Sequence, residues 1–467
     1  MTPLLLRSLG TVKFGTYSLL GAAAGYLSLL ELGLGTAAIT RIATAEVEGP
    51  EALTDVTSTA GVMFTCVGLG AILVSAAVSV LIPSLFSIPH SLSRQATIAF
   101  LFIGAAQGVA SMVVAFSSFL LGTGRMYQLN LVGFATSTAI SVATVALAVA
   151  GASLSVLGAV QFVGAFVMLI ALRSTTRRAF PGIRPRWRRA RRATMRRMLS
   201  LGWRNALSSV AGILAFGSDL VLVGLLLTPR AVAAYAIALK GYGFISRFTN
   251  SATGAIGPSH SHQAALGDTA RRFEMFCMTL LLTLTLAVVA SLTVGFYAHG
   301  LLHLWLGRVP GKSAAIVTIF CAVLVLQAPG FTAASLLINS ERASDVMRIT
   351  LASASLNVIT SVLMTIEAGV IGPALGSLVA VTLIDLVFFP RKVCRILEQP
   401  YSLMFKLAVR PLLVPTCALL IALALGRVLA SSGVIILPLI AGAIAVYAVV
   451  LWHTPATRQL RGRLRNV

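Results

Sequence analysis

The chain has 467 residues, of which 57% are hydrophobic and only 10% charged, whereas soluble globular proteins are about 25% charged. Its apolar residues fall into blocks as long as a bilayer-crossing helix, such as 96–121 and 434–452. The formal net charge of +23 does not indicate nucleic-acid binding, because no folded basic domain stands apart from these blocks. The composition therefore predicts an all-α polytopic membrane protein.

Successive apolar blocks predict thirteen transmembrane spans. Five of them precede the most basic stretch of the chain, and eight follow it. The predicted spans are 14–40, 59–86, 96–121, 127–150, 152–173, 201–227, 231–257, 274–298, 314–339, 345–366, 368–389, 405–426 and 433–453.

The basic stretch, residues 177–197, joins the two groups of spans and carries ten arginines and no acidic residue. As a helix, its later part would place six residues on one face: Trp187, Ala190, Thr194, Met195, Met198 and Leu199. Such a face is expected to lie on an anionic leaflet while arginines reach lipid phosphates. Anionic phospholipids are therefore a predicted partner, and a regulatory or protein-binding site is the alternative.

Lysine and arginine are distributed unevenly between the two sets of loops. If the first residues face outward, 26 of the 36 lie in one set of loops and 7 in the other. Because positively charged loops stay in the cytoplasm, the basic stretch and the C-terminus are predicted to be cytoplasmic.

An internal repeat accounts for the odd number of spans. Residues 12–28 match 230–246 at an offset of 218, which places Tyr17 on Tyr235. The later copy is preceded by a full predicted span, 201–227, but the first copy by about ten residues. The expected complete arrangement has fourteen spans with both ends cytoplasmic, and most of the first span would be missing from this chain.

The spans divide the chain into four predicted parts. They are a helical bundle at 1–173 with a truncated first helix, a basic cytoplasmic linker at 174–200, a second bundle at 201–390, and two further helices with a basic tail at 391–467.

Four motifs connect the chain with a known family. Near its start stand RSLG at 7–10, FGTY at 14–17 and LELGLG at 30–35, and the segment 208–238 contains Asp-x-x-x-x-Gly followed by Tyr-x-x-Ala. With these motifs the chain resembles polysaccharide and O-antigen flippases of the multidrug/oligosaccharidyl-lipid/polysaccharide exporter superfamily. Glu31 departs from the family pattern, which has aspartate at that position.

The resemblance implies two pseudo-symmetric six-helix bundles, followed by two C-terminal helices, that rock about a cavity. It also implies transport of a polyprenyl-diphosphate-linked oligosaccharide across the bacterial inner membrane for surface polysaccharide synthesis. A polysaccharide polymerase or glycosyltransferases would be partner proteins. Neither a cofactor nor a catalytic role is expected, since no P-loop or catalytic constellation is present in the sequence.

Three other functions remain open at this point. A multidrug antiporter of the same superfamily would share the fold, and a lipid II flippase is hard to separate by sequence. A membrane polysaccharide polymerase would need acidic residues outside the membrane, but the longest outer loop, 298–314, contains none.

Cationic side chains are the predicted ligands of a diphosphate, because arginine forks match phosphate oxygens and lysine supplies a point charge. Four residues are candidates for this role: Arg7, Arg41, Lys240 and Arg247. Polar side chains within spans are candidates for contact with sugar hydroxyls: Gln107, Asn250 and Gln327.

Two acidic residues inside predicted spans are candidates for coupling or gating, since charge within a bilayer is costly and faces a partner or a cavity. Asp219 and Lys240 are predicted at similar depth on consecutive helices, as a structural ion pair or a substrate-facing pair. Glu31 and Arg247 lie on two spans that the repeat makes equivalent, and they are predicted to form a bridge at the inner gate, unless Arg247 meets lipid headgroups and Glu31 caps a helix.

Pairs of glycines spaced four apart, Gly21 with Gly25 and Gly372 with Gly376, predict close helix packing. No metal site is predicted, because His299 and His303 lack a third ligand.

Overall fold

The computed structural model describes residues 1–31, 33–183, 187–200, 202, 210, 217–266, 269–338, 340, 342–429 and 436–453. These residues are almost entirely helical, which confirms the predicted all-α class. The chain divides into two compact units, Met1–Ala233 (unit 1) and Ala234–Val467 (unit 2). The four-part division drawn from the sequence stays a prediction.

The helices are numbered in chain order. The first seven are α1 (Thr2–Gly25), α2 (Leu34–Glu48), α3 (Pro50–Ser79), α4 (His90–Gly122), α5 (Met126–Val149), α6 (Leu154–Ala179) and α7 (Ser218–Leu226). The others are α8 (Pro229–Leu266), α9 (Thr269–Phe296), α10 (Ala298–Leu306), α11 (Ser313–Ile338), α12 (Ala343–Ala368), α13 (Gly372–Ala380), α14 (Leu386–Ile396), α15 (Arg410–Leu429) and α16 (Ile436–Trp452).

Eight helices in the described part of the chain are long and apolar enough to cross a membrane, and up to nine if the bent pair Thr2–Glu31 and Leu34–Glu48 is one span. One of them, Ser344–Ile396, covers two predicted spans. The predicted span 201–227 lies mostly outside the described residues. The chain is therefore a multi-pass membrane protein, and thirteen spans remain a prediction.

Small residues set how closely the helices of unit 1 approach. Gly68 of α3 and Gly108 of α4 face each other, because a side chain at either position would overlap the backbone oxygen of the other. The pair Gly372 and Gly376 behaves as predicted, since added side chains would overlap Met364 and Ser361 of α12. For Gly21 and Gly25, no described residue has an atom within 4 Å of an added side chain, so close packing at this pair stays a prediction.

The basic stretch packs against unit 1 through apolar and aromatic contacts. The Phe180 ring meets the Phe119 ring edge-on with centroids 5.0 Å apart, and the Arg125 guanidinium lies 4.6 Å from the Phe180 ring centre. Met198 is fully buried in a cluster with Ile42 and Phe119. A residue expected to face lipid is therefore part of the core of unit 1, while Leu199 is exposed.

An ionic contact adds to this packing. The Arg191 guanidinium lies 2.8 Å from the Asp55 carboxylate of α3, and the Arg191 backbone N–H donates a 3.1 Å hydrogen bond to Thr59 Oγ1. The basic stretch is thus held to α3 by polar contacts in addition to its apolar side chains.

Candidate substrate site

A bend between the first two helices carries Glu31. Tyr26–Glu31 form a 3-10 helix, and Gly33 at the start of α2 has a φ of 66°, a left-handed conformation that glycine adopts readily. Glu31 Oε1 accepts a 2.9 Å hydrogen bond from Ser111 Oγ of α4. Unit 1 therefore holds a carboxylate at a helix break, a position where transporters place substrate and ion groups.

The second predicted acid, Asp219, lies in the first turn of α7 and is 1% exposed. It is close enough to Tyr26 to interact electrostatically with the phenol. Helix α7 is packed against α1, because a side chain at Gly224 would overlap Leu19. Tyr26, the neighbour of Asp219, and Glu31 therefore lie at the two ends of the same 3-10 segment.

The two predicted cations of unit 1 lie on different helices. Arg7 is exposed on the first part of α1, before a kink at Gly10 where φ is 71°. Arg41 lies on α2, and its buried Nε has no hydrogen-bond partner in the structure. Neither guanidinium is in an ion pair within the described part of the chain.

One face of α8 carries the two predicted cations of unit 2. Lys240 and Arg247 are exposed, and seven residues of α-helix return to nearly the same face. Phe244 lies between them with 78% of its surface exposed, and Phe248 follows with 59% exposed. We call Lys240, Phe244, Arg247 and Phe248 the α8 stripe.

The opposite face of α8 is buried and takes part in a network of side-chain hydrogen bonds that was not predicted from the sequence. Tyr242 stacks on Phe320 with ring centroids 4.9 Å apart, and its hydroxyl donates a 2.8 Å hydrogen bond to Gln327 Oε1. The Gln327 and Ser353 side chains hydrogen bond to Asp385. Gln327 is therefore engaged inside unit 2, which argues against the predicted contact with sugar.

Asp385 is 7% exposed and ends a π-helical turn, Val381–Asp385, between α13 and α14. Such turns occur often at functional sites. The signal for Asp385 in the sequence is a single acid in the apolar run LVAVTLIDLVFFP, 378–390.

A mainly apolar cavity of about 690 Å³ lies in unit 2 between α9, α11 and α15. Its wall includes Leu292, Phe296, Val325 and Leu326, and Arg427 stands at its edge. The Arg427 guanidinium lies 5.6 Å from the centre of the Phe296 ring. This cavity can accept an apolar chain next to a positive charge.

Both predicted ion pairs, Asp219–Lys240 and Glu31–Arg247, join a residue of unit 1 to a residue of unit 2, and both stay predictions. Within the described residues, no group of three or more His, Cys, Asp or Glu side chains is placed to hold a metal ion.

Comparison with solved structures shows the fold. The lipid II flippase MurJ in an inward closed conformation is 14% identical, with a TM-score of 0.74 over 97% of this chain and 95% of that protein. An inward-facing multidrug resistance MATE family transporter of the MOP superfamily is 13% identical, with a TM-score of 0.65 over 85% of this chain and 96% of that one. A MOP superfamily transporter from Pyrococcus furiosus is 13% identical, with a TM-score of 0.54 over 85% of this chain and 93% of that one.

No curated protein sequence matches the chain. A sequence model described as polysaccharide biosynthesis protein matches residues 1–262, which is more than half of the chain. With this match and the fold of the MOP transporters, the chain belongs to the polysaccharide biosynthesis protein family.

Proposed function

We propose that the chain is a flippase for a polyprenyl-diphosphate-linked oligosaccharide. It would move this lipid from the inner to the outer leaflet of the bacterial inner membrane for surface polysaccharide synthesis. The observation that carries the proposal is the α8 stripe. Lys240 lies eleven residues from the start of α8 at Pro229, about 16 Å along the helix, and a charge so deep in a bilayer is costly unless it meets water or a charged group.

The α8 stripe offers a counterpart for each polar part of such a substrate. Lys240 and Arg247 are separated by about 10 Å along the helix axis, and both can donate hydrogen bonds to diphosphate oxygens. The exposed ring of Phe244 between them supplies a flat apolar surface for the C–H face of a sugar ring. Arg7 and Arg41 of unit 1 are further candidates for phosphate contact.

The apolar cavity between α9, α11 and α15 is our candidate for contact with the polyprenyl tail. Its volume of about 690 Å³ is within the range of small-molecule sites, about 300–1,000 Å³. Only a section of a long tail fits such a space, so the rest of the tail would stay in the bilayer. Arg427 at the edge would attract phosphate to the mouth of the cavity.

The remaining parts of the proposal concern how and where the chain works. Transport would proceed by alternating access without catalysis, with Glu31 and Asp219 as coupling or gating groups. The basic stretch and the C-terminus would lie in the cytoplasm, as the distribution of arginine indicates. A polysaccharide polymerase or glycosyltransferases would act before or after the transport step.

A lipid II flippase is the second candidate, and the likeness to MurJ over 97% of the chain favours it. A multidrug antiporter is favoured by the likeness to the MATE transporter. The cations of the α8 stripe weigh against transport of cationic drugs, because like charges repel.

A deletion strain tests the proposal. We expect lipid-linked oligosaccharide to accumulate and surface polysaccharide to be lost, and the intact chain to restore both. The double variant Lys240→Ala and Arg247→Ala is expected to lower transport by about tenfold or more, because hydrogen bonds between charged groups contribute more than a factor of ten. Quantification of the lipid-linked pool by mass spectrometry measures the effect.

Arg230→Ala is the matched control, since Arg230 is exposed in the first turn of the same helix and lies outside the α8 stripe. Normal transport by the double variant at normal protein level would contradict the role of the stripe. Accumulation of lipid II in the deletion strain would favour the second candidate, and unchanged lipid pools with new sensitivity to cationic dyes would favour the antiporter.

A further inference from the structure

A second cavity lies within unit 1, where the basic stretch meets α3, α4 and α6. Its volume is about 320 Å³, at the lower end of the range for small-molecule sites, about 300–1,000 Å³. None of the residues assigned to the substrate lines this cavity. The inference drawn from it therefore does not depend on which substrate the chain carries.

One end of the cavity is cationic and contains an unsatisfied hydroxyl. Arg173 and Arg177 lie one turn apart on α6 and both line the cavity. Between them lies Thr176, which is only 8% exposed and whose buried Oγ1 has no hydrogen-bond partner among the described residues. Buried polar groups are rarely left unpaired, so this hydroxyl is expected to bond to a ligand or a water in the cavity.

The charged groups around Arg173 and Arg177 favour a ligand with negative charge. None of the lining residues is acidic. The acid on the adjoining part of α3, Asp55, is already paired with Arg191 at 2.8 Å. The two arginines of α6 therefore have no carboxylate partner within the cavity, and a phosphate group matches their donors.

The other part of the cavity lining is mainly apolar, with the hydroxyl side chains of Thr57, Ser58 and Thr65 among it. Val62 of α3, Met112 and Phe116 of α4, and Leu169 of α6 form this part of the wall. A free phosphate ion would leave this surface unused, whereas a lipid with a phosphate headgroup would cover it with the first part of an acyl chain. The pairing of a cationic end with an apolar end thus selects an amphipathic anion.

The basic stretch supplies one wall of the cavity through Ile183. The same stretch is anchored nearby by Phe180 on Phe119 and by Arg191 on Asp55. A ligand in the cavity would touch the stretch and the helices at the same time.

We propose that this cavity binds an anionic phospholipid. Its headgroup phosphate lies against Arg173, Arg177 and Thr176, and one acyl chain runs past Val62 and Phe116 toward the bilayer. The bound lipid fastens the basic stretch to α3 and α4.

The test uses the purified full-length chain, stripped of lipid in detergent and titrated with phosphatidylglycerol under native mass spectrometry. The double variant Arg173→Gln and Arg177→Gln is expected to weaken binding by about tenfold or more, since it removes charge-assisted hydrogen bonds. Gly61→Leu is expected to weaken binding as well without any change of charge. Gly61 lines the cavity, and no described atom lies within 4 Å of a side chain added there. A leucine side chain at this position would therefore occupy the volume proposed for the ligand.

Two matched controls are expected to bind as the unchanged chain does. Arg188→Gln with Arg189→Gln removes the same charge from exposed positions of the basic stretch. Gly70→Leu adds the same side chain to α3 at a position with equal free space that does not line the cavity.

Equal binding by the cavity variants and the controls would overturn the proposal. So would equal affinity for phosphatidylcholine, which carries no net charge. Displacement of phosphatidylglycerol by inorganic phosphate would replace the lipid by a free anion as the occupant. Loss of binding in both cavity variants alone, with phosphatidylcholine bound at least tenfold more weakly, would establish the lipid site.

Discussion

Tyr242 anchors the buried face of α8. Its hydroxyl is bound to Gln327 of α11, which together with Ser353 of α12 is bound to Asp385. These hydrogen bonds join three helices and the π-helical turn inside unit 2. They set the rotation of α8 and so keep Lys240 and Arg247 on its exposed side.

Asp385 is expected to be the member of this network whose loss costs the most stability. Asp385→Ala would leave the buried side chains of Gln327 and Ser353 without their acceptor, at a cost of about 1–3 kcal/mol for each unsatisfied group. Asp385→Asn keeps an acceptor of the same shape and is expected to lose less. The thermal unfolding midpoint in detergent measures both variants.

Glu367→Ala is the control for this measurement, because Glu367 is an exposed acid on α12 and its loss is expected to leave the midpoint unchanged. An Asp385→Ala midpoint equal to that of the control would show that the network contributes no stability.

Residue-level predictions from sequence were best where chemistry alone decides. A charge within an apolar span is visible in the sequence, and it makes Glu31, Asp219 and Lys240 candidates, whose roles stay predictions. Gln327 was misjudged because the sequence does not tell which face of a helix is covered by its neighbours. Asp385 was not predicted because its partners, Gln327 and Ser353, are uncharged, so no opposite charge on a neighbouring span marks it in the sequence.

At the scale of elements, the span predicted at 14–40 is broken into a helix, a 3-10 segment and a second helix. Hydrophobicity predicts that a segment crosses the membrane, but it does not report local backbone geometry. The pair of glycines in LELGLG was the available signal, since Gly33 has a φ of 66°. The two parts of the span differ in direction by 45°.

Gly33→Ala tests the importance of this bend. A side chain in the left-handed region costs about 1–2 kcal/mol, so the variant is expected to lower the unfolding midpoint and to reduce transport. Gly21→Ala on α1 is the control. Gly21 lies inside the helix with no atom within 4 Å of an added side chain, and alanine there is expected to be neutral or to stabilise by about 0.5–1 kcal/mol. Equal behaviour of the two variants would contradict a required bend.

The basic stretch shows the same limit of sequence patterns. Helical periodicity placed Met195, Met198 and Leu199 on one apolar face, but the pattern does not tell whether lipid or protein covers that face. In the structure Met198 is fully buried while its neighbour Leu199 is 42% exposed. The apolar face is therefore shared between the core of unit 1 and the surroundings.

At the scale of the whole molecule, the chain has 36 lysines and arginines but only 13 acidic residues. The positions of these positive charges predict how the protein is oriented in the membrane. Moving one positive charge outward against a membrane potential costs about 2.3 kcal/mol for each 100 mV. Ten arginines in the basic stretch would multiply this cost, so the stretch is expected to remain on the cytoplasmic side. The loop before α4 is then expected to face outward.

Cysteine labelling in intact cells tests this orientation. All five native cysteines are first replaced by alanine. A single cysteine is then introduced, either as Arg189→Cys in the basic stretch or as His90→Cys at the start of α4. Both positions are exposed. A membrane-impermeant maleimide is expected to label His90→Cys in intact cells, but Arg189→Cys only after the inner membrane is permeabilised. Labelling of both variants in permeabilised cells controls for accessibility. The reverse pattern in intact cells would place the arginines outside and would contradict the predicted cytoplasmic location of the basic stretch.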